Sequence, residues 1–375
     1  MAEVVDGAHG KPERQVTGRR AVKTWLYILA ALVVAMVAVG GATRLTGSGL
    51  SITEWRPVTG AIPPLSHEAW IAEFQRYQAS PQYRLLNEGM DLGEFQFIYW
   101  WEWSHRQLGR LIGFVFFVPL LWFWLRGIVR GRLALGLLVI GALGGLQAGI
   151  GWIMVASGLQ PGMVAVAPIK LMLHLIVASL ILGLLVWVAA GFGRAPERDR
   201  AAPATARWTA SIFLGLVVLQ IALGALVAGS RAGLTYNTWP LMDGQFVPSP
   251  DALLAATPWY ENFVDNPALV QFDHRMVGYA VLAFALWQMV RLRRAAPGTS
   301  AARRATALAG MAVAQMGLGI ATLVLVVPLA LALAHQLFAM ALLAMAVVHA
   351  RLCVLDTRRE PVGQIGPAAN ALYAQ

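Results

Sequence analysis

Uncharged apolar stretches alternate with short basic segments along this chain. Residues 24–43, 171–193 and 208–230 contain no Asp, Glu, Lys or Arg, and 133–169 and 305–350 carry no ionisable side chain apart from His335 and His349. About 20 apolar residues in a helix cross the hydrocarbon core of a bilayer. The pattern predicts spans over 24–43, 105–125, 133–157, 169–193, 208–230, 274–290, 305–327 and 329–350. Residues 158–162 and Pro328 divide the two longest runs. The expected fold class is an all-α polytopic membrane protein, with eight transmembrane helices in two pseudo-symmetric four-helix bundles.

Composition removes the alternative that 375 residues would ordinarily suggest, two or three soluble domains. Apolar residues make up 58% of the chain, charged residues 13%, and the mean hydropathy is +0.61; soluble domains carry about twice that share of charge. The net charge of +10 suggests a nucleic-acid partner until the charges are placed. Residues 1–23, 126–132, 194–207, 291–304 and 351–375 hold 20 Lys and Arg. The opposite connections, 44–104 and 231–273, hold 5, against 12 Asp and Glu. This bias sets both termini on the cytoplasmic side of a multi-pass protein in the bacterial inner membrane, and excludes nucleic acid as partner. The polar first 23 residues lack a cleavage pattern, so the first span is expected to be retained. The lone cysteine, Cys353, leaves the outer loops without a thiol and rules out an intrachain disulfide.

Comparing the halves exposes a repeat. Residues Gly49 to Trp55 match Gly233 to Trp239; Trp103-Ser104-His105-Arg106 with Gly109 matches Phe272-Asp273-His274-Arg275 with Gly278. Gln147 with Gly149 and Gly151 matches Gln315 with Gly317 and Gly319, and His174 pairs with His335. The expected divisions are a tail (1–23), a first four-helix half (24–193), a linker (194–207), a second half (208–350) and a C-terminal tail (351–375). Helical glycines such as Gly141, Gly144, Gly145, Gly149 and Gly151 are expected chiefly to permit close helix packing.

Ionisable groups inside a membrane are rare and point to function. Four histidines occupy equivalent places: His105 and His274 are expected to open the second and sixth spans, and His174 and His335 to lie about a turn and a half into the fourth and eighth. All four are expected at one depth towards the outer face, on alternate helices, as bundle side chains that clasp a cofactor are. Zinc prefers closer ligands, often with Cys or carboxylate. A haem iron takes one or two axial histidines, which predicts one histidine pair and one haem per bundle. Arg44, Arg106, Lys170, Arg231 and Arg275 are candidate partners for propionates, or cations reaching lipid phosphate. His9, His67 and His349 are expected at the surface.

The repeat breaks at one position. Glu102 stands three residues before His105, whereas Gln271 stands three before His274. A carboxylate beside one cofactor suggests proton chemistry in the first half alone; the plainer reading is a helix-start carboxylate favoured by the macrodipole. Glu94 is a weaker candidate. Asp273 is a candidate partner or cap for His274.

The run Gly40 to Thr46 with Ser48 to Ser51, the segment Glu102 to Arg106 with Gly109-Arg110, and Phe272 to Arg275 resemble the haem A synthase family. The loop Trp55 to Pro64 is similar to its proteobacterial and mitochondrial branch. The resemblance covers roughly 25–350. It implies oxidation of the C8 methyl of haem O to a formyl group, giving haem A for terminal oxidases. It also implies a resident haem b whose iron is held by His274 and His335, substrate haem iron bound through His105 and His174, and Glu102 as the catalytic glutamate. Implied partners are haem O, the upstream haem O synthase, a soluble electron donor and membrane lipid, with a homo-oligomer among the candidate assemblies. The cysteine pair that some relatives carry in the first outer loop is absent here. The rival classes are a di-haem b electron-transfer cytochrome and a haem transporter or chaperone. Copurifying pigment separates them, since mixed b-, o- and a-type haem marks the enzyme. The first outer connection, 44–104, is expected to act as a lid, with Trp55, Arg56, Trp70, Tyr99, Trp100, Trp101 and the matching Trp239 covering the pockets; the plainer reading is an aromatic belt anchored at the membrane interface.

Overall fold

The computed structural model describes residues 10–192 and 203–357, so much of the expected linker (194–207) and C-terminal tail (351–375) lies outside them, whereas residues 10–23 of the expected N-terminal tail are helical and continue into the first span. Eight long helices dominate: α1 (Gly10–Leu45), α2 (Leu92–Leu125), α3 (Gly131–Gly158), α4 (Pro168–Ala190), α5 (Ala204–Gly229), α6 (Pro267–Ala295), α7 (Ser300–Val324) and α8 (Leu329–Thr357). Seven are long and apolar enough to cross a membrane. The one that differs from expectation is α6, where Asp273, His274, Arg275 and Gln288 interrupt the apolar sequence and lower its hydropathy. The protein is an all-helical, multi-pass membrane protein.

Local signals set the helix starts. Pro168 opens α4, Pro267 opens α6 behind the cap Asn266, and the Thr299 hydroxyl accepts the Ala302 N–H at the start of α7. Proline at the first turn costs no hydrogen bond, because those N–H groups have no helical acceptor. The middle of the structure is formed by α1, α4, α5 and α8, which pack as α1 on α4 and α8, α5 on α4 and α8, and α4 on α8. The first four long helices close a ring in the order α1, α2, α3, α4, and the last four a ring α5, α6, α7, α8. Leu26 and Leu29 of α1, Leu182 and Leu185 of α4, Phe213 of α5, and Met340 and Leu343 of α8 are buried in one continuous core. The peripheral faces of α2 and α3 expose Phe114, Phe117, Leu121, Leu135 and Val139, as lipid-facing helices do when hydrocarbon replaces water.

The outer connection between α1 and α2 is far shorter than 44–104. Asp91 and Glu94 form a reciprocal capping box that starts α2 at Leu92, so Tyr99, Trp100 and Trp101 belong to the helix and not to a loop. The remainder holds two short helices, His67–Gln78 and Pro81–Leu86. Their aromatic residues pack on the outer end of α2: the Phe74 and Phe95 rings lie 5.0 Å apart and those of Tyr77 and Phe95 5.4 Å apart. Tyr77 donates to Gln82, which in turn donates to the Gly47 carbonyl and ties this cap back to the end of α1.

Phe95 is fully buried at the centre of the cap. Phe95→Ala is expected to cost about 3–5 kcal/mol of local stability and to open residues 66–90 to limited proteolysis, which the parent protein resists. Equal cleavage of both would refute a packed cap.

Candidate functional site

Each of the four histidines projects from a helix towards a glycine on the preceding helix. A Cβ on Gly40 of α1 would stand 2.7 Å from Cε1 of His105, and one on Gly151 of α3 would stand 2.8 Å from Cε1 of His174. The same holds at 3.1 Å for Gly224 of α5 against His274, and at 2.9 Å for Gly319 of α7 against His335. Only a residue without a side chain lets the imidazole lie this close to the neighbouring backbone. His105 and His174 are near enough to interact electrostatically, and so are His274 and His335. The four rings therefore fall into two pairs, one within each ring of four helices.

A glutamine four residues before three of these glycines completes each seat. The side-chain amide of Gln147 donates to the His174 carbonyl, that of Gln220 to the His274 carbonyl and that of Gln315 to the His335 carbonyl, each at 3.0 Å. The same amide nitrogens lie 3.4, 3.1 and 3.2 Å from ring nitrogens of those histidines. Gln147 and Gln315 stand out in the internal repeat, whereas the signal for Gln220 is the Gln-x-x-x-Gly spacing that it shares with them. The partner of His274 is thus Gln220, and Asp273 makes neither that bond nor the helix cap, which belongs to Asn266.

Two expectations about position change. His105 and His274 do not open their helices: α2 begins at Leu92 and α6 at Pro267, so both lie well inside. His349 is not at the surface but fully buried, 3.8 Å from the Cys353 sulfur one turn on. His67 is exposed as expected, and His9 lies outside the described residues. The glycine expectation holds for Gly141, which meets the Phe116 and Phe117 rings, and for Gly151; Gly144, Gly145 and Gly149 face open space.

Glu102 is 3% exposed, and its carboxylate is fully engaged. Arg106 donates to Oε1 from two nitrogens at 2.6 and 3.2 Å, while the Ser51 hydroxyl and the Ile52 N–H each donate to Oε2 at 2.8 Å. Arg106 also donates to the Ile52 and Glu54 carbonyls. The second half repeats this clamp with the polarity reversed. Gln271 donates to the Ala232 carbonyl at 2.7 Å and the Tyr236 carbonyl at 3.3 Å, and accepts from Arg275. Arg275 in turn donates to the Tyr236 and Thr238 carbonyls. A carboxylate can only accept and an amide can also donate, so the Glu/Gln difference follows whether the loop presents an N–H or a C=O. Lying a full three turns beyond the cap, Glu102 is no helix-start carboxylate, and Glu94 is spent in the capping box.

These bonds occupy Arg106 and Arg275 with loop carbonyls. Arg44, Arg231 and Lys170 make no salt bridge with a described carboxylate; Arg44 and Arg231 lie near enough to repel each other. Lys170 lines a groove of about 600 Å³ with Trp152, Ser157 and Met163. Trp152, next to Gly151, stacks on Trp55 of the outer connection with ring centroids 5.8 Å apart. Trp239, the sequence counterpart of Trp55, instead donates to the Tyr279 hydroxyl. Among the described residues no cluster of three or more His, Cys, Asp or Glu could hold a bare metal ion.

Residues 23–347 match the family described as cytochrome oxidase assembly protein. The chain is 65% identical over 337 residues to the heme A synthase of Methylobacterium sp. (strain 4-46), covering 90% of this chain and 93% of that one. It is 63% identical over 327 residues to the heme A synthase of Methylobacterium nodulans, covering 87% and 90%. With the heme A synthase of Brucella abortus it shares 49% over 345 residues, covering 92% and 94%. The paired, glycine-seated histidines and the Glu102 clamp are therefore features of a member of the cytochrome oxidase assembly protein family.

Proposed function

We infer that this chain is a haem A synthase, oxidising the C8 methyl of haem O to a formyl group. The observation that carries the reading is the pairing of four intramembrane imidazoles, each against a glycine, with a carboxylate clamp beside only one pair. The donor set suits haem. Two imidazoles per site are the axial ligands an iron porphyrin takes. The glycine seats keep each ring at the helix surface, and the buried Nδ1 atoms of His105 and His174 have no hydrogen-bond partner among the described residues. The two halves act as pseudo-symmetric four-helix bundles within eight spans, with both termini on the cytoplasmic side of the bacterial inner membrane. The matching ring-like packing of the helices and the basic bias of the inner segments support that arrangement.

In this reading His274 and His335 hold a resident haem b, which supplies one-electron redox chemistry when bound. Gln220 and Gln315 keep these two rings oriented, the role that outer partners play for ligating histidines. His105 and His174 receive the substrate porphyrin. Arg44, Arg231 and Lys170 are the cations left to meet its propionates, because Arg106 and Arg275 are committed to the loops. The Trp55–Trp152 stack and the aromatic cap exclude water from the outer edge of the first pocket. A charge in such a screened site acts strongly on developing positive charge, and Glu102 is the carboxylate placed to supply it. The clamp itself favours a second reading, in which Glu102 holds residues 51–54 in place and acts only through them.

Five variants test these readings. His274→Ala and His335→Ala are expected to lose the b-type haem, and purification of either with full low-spin haem b would overturn the assignment. Gly319→Ala is expected to displace His335 and reduce bound haem b, whereas Gly317→Ala, which meets no neighbour, retains it; pigment extraction measures both. Glu102→Gln should fold, since the amide is isosteric and its oxygen can still accept from the Ser51 hydroxyl and the Ile52 N–H. It should keep haem b and bind haem O, but form haem A about 10²–10⁴-fold more slowly. Near-parental turnover, with pigment identified by mass, would exclude catalysis by Glu102, and loss of all haem would assign it to the clamp. Aerobic and anaerobic turnover of haem O by the purified protein tests the activity itself.

A further inference from the structure

The four histidine seats are built to one plan with a single exception. Gln147, Gln220 and Gln315 each stand four residues before the glycine that faces a histidine. Four residues before Gly40, which faces His105, stands Met36. Met36 and Gln220 occupy the same place in the two halves. The Met36 Cε lies 3.5 Å from the Cβ position of Gly109, one turn beyond His105, and the Gln220 amide nitrogen lies 3.2 Å from that of Gly278, one turn beyond His274.

The substitution removes a donor. A glutamine amide gives one N–H to the histidine backbone carbonyl and sets its dipole beside the ring; a thioether has no hydrogen to give and only a weak acceptor. Accordingly the other three histidines each have a glutamine at their carbonyl, whereas among the described residues no side chain donates to that of His105. Methionine is also unbranched and flexible, so it packs against a ring without fixing it. His174, which shares the first pocket, keeps its glutamine. The first pocket thus has one histidine with a glutamine donor and one without, and the second has two with.

We propose that Met36 makes His105 the releasable ligand of the first pocket, so that this pocket exchanges haem while the second retains it. The proposal rests on the reading that the first half holds the substrate. That assignment demands such a difference: a haem that is substrate and then product must leave after each turnover, whereas a resident cofactor must stay. Met36 is a positioning residue that acts through His105. Outer partners of ligating histidines change affinity by about 10–100-fold, a scale suited to separating a retained haem from an exchanged one.

The test uses the full-length protein in detergent, loaded with haem O, with apomyoglobin added as haem acceptor. Transferred pigment is separated by mass into o- or a-type and b-type. Met36→Gln is expected to slow transfer of haem O and haem A about 10–100-fold and to sharpen the low-spin absorbance of the first site. Met36→Leu, which also lacks a donor, is expected to exchange like the parent. Unchanged haem O transfer in Met36→Gln overturns the proposal, as does equal slowing in Met36→Leu. If Met36→Gln fails to accumulate, Gln220→Met carries the test. It is expected to speed loss of haem b by a similar factor, and parental retention overturns the proposal. His105→Ala and His174→Ala distinguish the underlying assignment: if both still bind haem O fully, the reading of the first half has failed, whatever Met36 does.

Discussion

An imidazole inside a membrane helix has to be held by the protein, because hydrocarbon offers neither hydrogen bonds nor polar solvation. The structure meets this constraint four times in the same way. A glycine on the preceding helix lets the ring reach the helix surface, and in three cases a glutamine one turn earlier ties down the histidine's own carbonyl. Because glycine and glutamine lie four residues apart, they share one helix face and reach a histidine on the neighbour together. Helix pairing, ring orientation and pocket position all follow from this contact: α1 with α2, α3 with α4, α5 with α6 and α7 with α8.

The outer loops are held to the same helices by a second recurring device. Arg106 and Arg275, each next to a histidine in sequence, turn away from it and bind loop carbonyls at matching positions. Loop and histidine are therefore fastened to the same turns of α2 and α6, so displacing one strains the other. Glu102 and Gln271 complete the clamps with opposite polarity, which makes the most conspicuous asymmetry between the halves both a structural and an electrostatic difference. The extra aromatic cap over the first half, with Trp55 stacked on Trp152, has no counterpart in the Trp239 contact. The two histidine pairs thus share a plan and differ in how they are covered.

The apolar runs, the basic bias and the four histidines were legible in the sequence because each depends on composition or on spacing along one helix. Seven membrane-crossing helices lie where hydropathy placed them, and α6 departs because its polar residues sit inside the helix. Helix starts were read less well. The Asp91–Glu94 capping box begins α2 more than three turns before His105, because a cap is a local hydrogen-bonding signal that an apolar pattern does not register.

What the sequence by itself determined was the all-helical membrane class, the internal repeat and the identity of the histidines, since these follow from transfer of apolar residues into lipid and from residue matches. Tertiary structure alone decided which histidine faces which glycine, that Gln220 and not Asp273 partners His274, that Arg106 and Arg275 serve the loops, and that His349 is buried beside Cys353. These are contacts between segments far apart in the chain. A side chain's partner there depends on how two helices rotate and cross, and the one-dimensional pattern carries only the face each helix presents, not the residue that meets it.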